Sequence, residues 1–215
     1  MGTKALNGVV IHVVDDDAGV RKGLARLLEA AGYEVRCHAS AGEFLIAETG
    51  DTPGCVLLDV RMPGPSGLDL QDALAKRGEP LPIVFLTGHG DIPMSVRALK
   101  AGAVDFLTKP VDRPTLLAAV DAALAQDAAR RAERDGLRAL QQRYERLTAR
   151  EKEVLAHVVS GKLNKQIAAD IGAAERTVKA HRAQVMQKMA VESLADLVRA
   201  ASRLGLPPSA SREEG

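Results

Sequence analysis

The sequence predicts two domains of different class: an α/β domain built on a doubly wound, five-stranded parallel sheet, and a smaller all-α domain behind it. Three observations support this prediction. Short apolar runs alternate with amphipathic stretches through the first 124 residues, which is typical of βα units. From Thr148 onward the pattern is helical throughout. Aromatic residues make up only 2% of a chain that is 46% hydrophobic, so its core is aliphatic, which favours helices packed on a buried sheet.

Five short apolar runs are predicted as strands because they are rich in β-branched residues and bounded by polar or turn residues. They cover residues 9–14, 33–38, 55–58, 83–86 and 104–107. Helical patterns lie between them: Val20, Leu24 and Leu28 share one helix face, and Leu116, Val120 and Leu124 share another. In parallel sheets covered by helices, ligands bind at the carboxyl ends of the strands.

Residues 125–146 are predicted as a solvated helical linker, since they are rich in Arg, Glu, Gln and Ala and contain one glycine and no proline. A short coiled-coil dimer seam is an alternative, although the segment holds too few heptads to decide it. That seam would use Leu137, Leu140, Tyr144 and Leu147.

The second domain is predicted over residues 147–208, with helices at 149–160, 165–171, 175–189 and 193–204. Thr148 and Glu151 have the spacing of a capping box. Glycines end helices by taking left-handed backbone angles, and they stand at the expected stops: Gly161, Gly172 and Gly205. Residues 209–215 are predicted as a disordered tail.

The charge distribution and the composition limit the kinds of protein that this sequence can encode. The net charge is only +1, but acidic residues prevail before residue 124 and basic residues after it, which indicates a cation-binding half and a polyanion-binding half. No segment approaches the roughly 18 apolar residues of a membrane span, and the first residues do not form a signal peptide. A cytoplasmic protein is expected, with Cys37 and Cys55 as two buried thiols, because their spacing fits neither zinc nor redox motifs.

Three carboxylates follow predicted strands. Asp15 and Asp16 come directly after the first strand, and Asp59 comes after the third. These strands can be neighbours in a doubly wound sheet, so the carboxylates are expected to converge. Packed like charges need a cation, and hard oxygen ligands suit Mg²⁺. For Asp17, capping of the next helix is the favoured interpretation.

A hydroxyl and an amine reach the same edge of the sheet. Thr87 ends the fourth strand in "VFLTGHGD", and Lys109 ends the fifth in "DFLTKP". Phosphoryl transfer to a carboxylate depends mainly on charge neutralisation and positioning, which a metal, a lysine and a hydroxyl supply. Asp59 is therefore predicted as the nucleophile.

The motifs "VVDDD", "LLDVRMPGPSG", "VFLTGHGD" and "DFLTKP" occur in that order over residues 9–124 and resemble the receiver domain of two-component response regulators, whose fold is flavodoxin-like. The resemblance implies that a histidine kinase phosphorylates Asp59. It also implies that Asp15, Asp16, Asp59 and the backbone carbonyl of Arg61 hold Mg²⁺, and that Lys109 pairs with the phosphoryl group. Thr87 and Phe106 would be the switch pair, and a cis peptide bond would precede Pro110.

The stretch "TGHGDIPMSVRALKAGAVDF" resembles the FixJ branch in particular. In that branch, residues 92–100 and 104–107 form the face that pairs two receivers, so dimerisation on phosphorylation is implied. Candidate ion pairs of that face involve Arg97, Lys100 and Asp105. His89 either influences phosphorylation or lines the loop, and the second interpretation is favoured.

In the second domain, the second and third helices form a helix-turn-helix arrangement around Gly172. Val178, Val185 and Met189 share the buried face of the third helix, and its opposite face is polar and basic. Such a face fits the DNA major groove, although periodicity alone favours a solvated helix face. His157 and His181 are interpreted as packing residues.

The stretch "LTAREKEVLAHVVSGKLNKQIAADIGAAERTVKAHRAQVMQKM" resembles the LuxR/FixJ output domain over its whole length. Phosphate contacts are then expected from Asn164, Lys165, Arg176, Thr177 and Arg182. Base contacts are expected from Lys179, Ala180, Ala183 and Gln184. One departure is Ala174, which stands where the family often has a serine cap, so about 1 kcal/mol of capping is missing.

The sequence is compatible with three functions. The leading one is a phosphorylation-controlled transcription regulator, acting as an activator, with a cognate histidine kinase, double-stranded DNA and RNA polymerase as partners and no membrane. A metal-dependent phosphatase or phosphotransferase is the second, but the sequence offers no substrate cleft beyond the aspartyl site and no P-loop lysine motif. The third is a pure interaction module, against which the basic second domain argues.

Overall fold

The computed structural model describes residues 8–47, 51–78, 81–88 and 92–206. The chain forms two compact units, Met1–Arg131 and Ala132–Gly215. His89 and the predicted tail at 209–215 lie outside the described residues.

The first unit contains the five predicted strands in one parallel sheet of order β2-β1-β3-β4-β5. This confirms the predicted fold class, and each strand end differs from the prediction by at most one residue. The elements, in chain order, are β1 Val10–Val14, α1 Ala18–Glu29, β2 Glu34–His38, α2 Ala41–Ile46, β3 Gly54–Asp59, α3 Gly67–Lys76, β4 Ile83–Thr87, α4 Ile92–Lys100, β5 Asp105–Thr108 and α5 Arg113–Glu145.

Alternate residues of the central strands pack into two apolar clusters. Ile11 and Leu57 belong to one cluster, whereas Val14 and Leu58 belong to the other. Every residue of β1, β3 and β4 is buried, as expected for a parallel sheet whose two faces are both covered. The register pairs Val14 with Leu58. The next residues along the chain, Asp15 and Asp59, therefore lie at the same edge of the sheet.

Residues 125–146 are almost wholly helical and mostly exposed, but Asp127 and Leu140 among them are buried. They continue α5 without a break, and the two ends of the segment pack into different units. Asp127 is buried in the first unit and accepts a hydrogen bond from the Gly54 N–H, whereas Leu140 and Leu147 belong to the apolar core of the second unit. Tyr144 also packs against that core, so three of the four leucine and tyrosine positions of the suggested coiled-coil seam are occupied within the chain itself.

The second unit is all-α, as predicted. It contains the end of α5 followed by α6 Ala149–Val159, α7 Asn164–Asp170, α8 Glu175–Met189 and α9 Leu194–Arg203. Thr148 and Glu151 form the predicted capping box of α6. The predicted helix stops have positive φ angles at Gly161, Gly172 and Gly205. Ala174 is the N-cap residue of α8 and its side chain makes no capping hydrogen bond, which confirms the missing cap.

Two further expectations concern thiols and membranes. Cys55 is buried, but Cys37 is exposed, so the prediction of two buried thiols is wrong for Cys37. It belongs to β2, an edge strand of the sheet, and an edge strand is covered less completely than a central one.

Within the described ranges, no helix has the length and apolar character needed to cross a membrane.

Candidate functional site: an acidic pocket and a basic helix

Three aspartates converge at the carboxyl edge of the sheet. Asp15 follows β1, Asp16 is the next residue, and Asp59 is the last residue of β3. One carboxylate oxygen from each lies within 4.8 Å of the others. Asp15 and Asp59 are 2% and 7% exposed, whereas Asp16 is exposed to solvent. The sequence prediction that these carboxylates lie together holds because β1 and β3 are neighbours in the sheet.

Asp15 is held at each of its polar groups. Its N–H donates to the His38 carbonyl, 3.2 Å away, and its own carbonyl accepts from Arg21 Nη1 at 2.6 Å. Its Oδ1 accepts from the Asp17 N–H at 2.9 Å, and its Oδ2 accepts from Lys109 Nζ at 2.5 Å. This carboxylate is therefore fixed before any ligand arrives, which lowers the ordering cost of binding.

Lys109 is the cation of the pocket. Its Nζ donates to Asp15 Oδ2 and also to Asp59 Oδ1, 3.0 Å away. Its backbone N–H donates to the Thr87 carbonyl at 2.7 Å, and the peptide bond to Pro110 is cis, as the resemblance implied. Burial tends to lower the pKa of Lys109, but the hydrogen bonds that it donates to Asp15 and Asp59 outweigh this effect and raise the pKa.

The charge of the pocket is unbalanced. Burial raises the pKa of Asp59, and the Asp15 charge adds to this, while Lys109 and the Arg61 N–H act in the opposite direction. Three carboxylates facing one ammonium group leave an excess of negative charge, which a divalent cation would neutralise. Three oxygen donors at this spacing are the ligand type that Mg²⁺ and Ca²⁺ prefer. The residues therefore fit a hard divalent cation.

Thr87 and Phe106 lie on adjacent strands. Thr87 is the last residue of β4 and is 1% exposed. Phe106 belongs to β5, where it pairs with Phe85 of β4. The two phenyl rings have centroids 6.0 Å apart, and Phe106 packs half-buried against the apolar cluster that contains Phe85. Phe106 is thus less enclosed than Phe85, which is fully buried.

Helix α8 presents a basic, exposed surface in the second unit. Its apolar side is buried through Val178, Val185 and Met189, as predicted. The predicted DNA contacts that are exposed are Lys165, Arg176, Thr177, Lys179, Ala180, Ala183 and Gln184. Asn164 and Arg182 are half-buried and bind each other, with Arg182 Nη1 donating to Asn164 Oδ1 at 2.8 Å. That bond joins α7 to α8.

Comparisons with known proteins agree with both halves of the site. Residues 11–121 match the family model described as response regulator receiver domain, and residues 145–201 match bacterial regulatory proteins of the luxR family. Nodulation protein W of Bradyrhizobium diazoefficiens is 47% identical over 204 residues, which cover 95% of this chain and 90% of that protein. The chain is a response regulator of the FixJ branch.

Further relatives share the same two-domain organisation. The transcriptional regulatory protein FixJ of Azorhizobium caulinodans is 45% identical over 199 residues, covering 93% of this chain and 94% of that one. The solved structure of the response regulator StyR is 47% identical, has a TM-score of 0.81, and covers 91% of this chain and 99% of that one. This response regulator thus combines a receiver with a LuxR-type DNA-binding domain and regulates transcription. Its relatives are regulators, not enzymes.

Two residues that shape the acidic pocket of this response regulator were not identified from the sequence. Arg21 holds the Asp15 carbonyl, and nothing in its sequence context distinguishes it from a solvated helix residue. Gly67 lies against the backbone of Asp59, since a Cβ at this position would come within 2.2 Å of the Asp59 carbonyl oxygen. The motif "PGPSG" was the available signal for Gly67.

Proposed function

We propose that a histidine kinase phosphorylates this response regulator on Asp59, and that the phosphorylated chain dimerises through its receiver and binds DNA, acting as an activator. The observation that carries the proposal is the position of Asp59 Oδ1, 3.0 Å from Lys109 Nζ and beside the Asp15 and Asp16 carboxylates. In the transfer, the P–N bond to the kinase histidine breaks as the P–O bond to Asp59 forms, and the imidazole nitrogen takes up a proton.

The residues of the pocket have separate roles in this proposal. Lys109 exchanges a carboxylate for a phosphoryl oxygen, since its ammonium group already touches the acceptor residue. Bound Mg²⁺, held by Asp15, Asp16, Asp59 and the Arg61 carbonyl, would neutralise charge on the phosphoryl oxygens. The Arg61 N–H, which donates to the Asp59 carboxylate, keeps this loop beside the acceptor. The Thr87 hydroxyl supplies a further donor at the end of β4.

The switch is proposed to pass from the phosphoryl group through Thr87 and Phe106 to a face formed by α4 and β5. When Thr87 moves toward the phosphoryl group, the Phe106 ring turns inward, which is a two-state packing change. Helix α4 is suited to move, because Ala98 is its one buried residue within the described chain. Its exposed apolar side chains are Ile92, Val96 and Leu99, 79%, 43% and 46% exposed.

That face is proposed as the dimer surface of the phosphorylated receivers. Arg97 already forms an exposed ion pair with Asp72 of α3, 3.4 Å away, so pairing across a dimer would require it to exchange partners. Lys100 is exposed at the end of α4. Asp105 accepts a hydrogen bond from the Phe106 N–H at 2.8 Å, which links one charged position of the face to the switch residue.

Dimerised receivers would raise the effective concentration of one reading helix beside its twin. Phosphate contacts are proposed for Asn164, Lys165, Arg176, Thr177 and Arg182, and base contacts for Lys179, Ala180, Ala183 and Gln184. The exposure of most of these side chains supports the assignment. RNA polymerase as a partner and the cytoplasm as location complete the proposal.

The domain boundaries remain a proposal as well. We assign residues 1–124 to the receiver, 125–146 to the linker, 147–208 to the DNA-binding domain and 209–215 to the tail. The compact unit of the structure continues to Arg131, so a receiver fragment intended to fold alone should extend at least that far.

The proposal is tested by incubating the full chain with acetyl phosphate and Mg²⁺ and measuring its mass. Wild type should gain one phosphoryl group, and Asp59→Asn should gain none. Glu29→Gln, a change at an exposed acidic residue of the same unit, serves as the control and should be phosphorylated like wild type. A phosphoryl adduct on the Asp59→Asn variant would refute the assignment of the acceptor.

A further inference from the structure

An open cavity lies in the second unit between the end of α5 and the end of α9. Its volume is about 340 Å³, which is at the lower end of the range for small-molecule sites. Its lining residues are Arg134, Leu137, Arg138, Gln141, Arg203 and Leu204. None of them belongs to the acidic pocket or to the proposed DNA contacts.

The cavity concentrates positive charge. Three of the six lining residues are arginines and none is acidic. In the part of the chain that the structure describes, neither Arg138 nor Arg203 forms an ion pair. Arg134 has Asp135 as a neighbour, with 3.8 Å between Arg134 Nε and the carboxylate. Two guanidinium groups therefore face the cavity without a carboxylate partner.

The arrangement of these arginines lowers the free energy of unfolding of the second unit. Arg134 and Arg138 are four residues apart on α5, where like charges repel, and Arg203 of α9 adds a third charge. Gly136 lies between them in the middle of the helix, where glycine is unfavourable. A Cβ at residue 136 would come within 3.3 Å of Arg203 Nη2, so the glycine leaves room for that guanidinium group against the helix.

Unfavourable features that gather at one place are a mark of functional sites rather than of structural ones. The repulsion among the three arginines is relieved by a ligand of opposite charge. Guanidinium groups bind phosphate oxygens in a bidentate manner. Leu137, 42% exposed, and Leu204 offer apolar surface beside them, and the Gln141 amide can both donate and accept.

We propose that this cavity binds a small phosphorylated ligand of the nucleoside diphosphate type, with Arg138 and Arg203 on the phosphates and the leucines beside the nucleoside. This inference goes beyond the proposed function, because it adds a second, diffusible input to the output unit. Since the phosphorylation site lies in the other unit, the two inputs would be read at separate sites.

The test is calorimetric titration of the full chain with ADP at low salt, in a chelating buffer free of Mg²⁺ so that the acidic pocket does not contribute. Wild type should bind ADP saturably at one site and should not bind adenosine. Arg138→Gln and Arg203→Gln should each weaken binding by about tenfold or more, because each removes a charged hydrogen-bonding group. Glutamine keeps the helix propensity close to that of arginine, and circular dichroism verifies folding.

Arg199→Gln is the matched control, since Arg199 is exposed on the same helix α9 and pairs with Asp196 instead. It should bind ADP within about twofold of wild type. Absence of saturable binding by wild type, equal binding of adenosine, or an equal loss in Arg199→Gln would overturn the proposal.

DNA phosphates are the alternative ligand for these arginines, since they present the same phosphate oxygens as ADP. If Arg138 and Arg203 contacted DNA, each glutamine variant would lower the slope of log affinity against log salt by about one unit. The proposal expects the slope to stay at its wild-type value in both variants. A reduced slope would assign the arginines to DNA and contradict it.

Discussion

At the scale of single residues, Lys109 sets the charge balance of the acidic pocket. It contacts both Asp15 and Asp59, and its position directly after β5 makes it the one cation that bonds to both carboxylates within the described residues. A divalent cation that enters the pocket must compete with this ammonium group for the same oxygens. Removal of the lysine charge therefore has opposite effects on metal binding and on the phosphorylated state.

Lys109→Gln should bind Mg²⁺ more tightly than wild type, by roughly tenfold, because a nearby positive charge no longer opposes the cation. The same variant should lose phosphorylation-dependent dimerisation, since the phosphoryl oxygens lose their partner. Calorimetric titration with Mg²⁺ measures the first effect and sedimentation the second. Lys22→Gln, a change at an exposed lysine of α1, is the control and should change neither. Weaker Mg²⁺ binding by Lys109→Gln would contradict this account.

A second residue-scale feature is a buried histidine pair. His12 Nδ1 and His38 Nε2 are 3.1 Å apart, and both rings pack edge-on against Phe44. Burial lowers the pKa of His12 to about 4, with further contributions from His38 and Arg36, while Glu34 acts in the opposite direction. Burial also lowers the pKa of His38, against the effect of Glu43. The pair is therefore neutral in the folded receiver.

The receiver should lose stability as the pH falls from 6.5 toward about 4. In this window the unfolded chain protonates His12 and the folded chain does not, so the stability that is present above pH 6.5 declines, by on the order of 3 kcal/mol for the full shift. Urea unfolding across this range measures the effect. His12→Gln, which cannot titrate, should show a smaller slope, and an unchanged slope in this variant would contradict the assignment to His12.

At the scale of elements, a buried clamp fixes α5 to the start of β3. Asp127 Oδ2 accepts from the Gly54 N–H at 3.0 Å and from Arg131 Nε at 2.7 Å. Arg131 also donates to the Asp51 carbonyl and carboxylate and to the Thr52 carbonyl. The strand that begins at this clamp ends at Asp59, so the long helix and the acceptor residue are connected through one strand.

Arg131→Ala should destabilise the receiver by about 3 kcal/mol, because it leaves the buried Asp127 carboxylate without its charged partner. Asp127→Asn should cost less, since the amide oxygen can still accept from Gly54. Chemical unfolding of Asp127→Ala, of Arg131→Ala and of the double variant that carries both changes gives a coupling energy. A coupling energy near zero would show that the two side chains contribute independently, against this account.

The elements also show what sequence patterns can and cannot predict. Strand and helix positions followed from periodicity, because burial on a parallel sheet imposes it. The composition of residues 125–146 suggests a solvated linker, and it gives no sign that Asp127 and Leu140 are buried. Besides Asp127, Arg131 binds Asp51 and Thr52, which lie 80 and 79 residues away in sequence, and no local pattern indicates such contacts.

At the scale of the whole molecule, the acidic pocket was more predictable than the rest. Parallel strands bring their carboxyl ends to one edge, so Asp15, Asp59 and Lys109 could be placed together from the sequence. The contact of Arg21 and the arginine cavity could not be predicted from the sequence, because they depend on how helices pack against strands and against each other. The tertiary contacts of α5 and α9 have no counterpart in a local motif.

The central claim is that phosphorylation of Asp59 controls DNA binding by the second domain. The direct test is the affinity of the full chain for a duplex with two half-sites, selected from random DNA, and for a duplex with one, before and after acetyl phosphate with Mg²⁺ at fixed salt. Phosphorylation should tighten binding to the paired site by about tenfold or more and leave the single site nearly unchanged. Asp59→Asn should show no response. Equal affinity of the phosphorylated and unphosphorylated chain for the paired site would contradict the account.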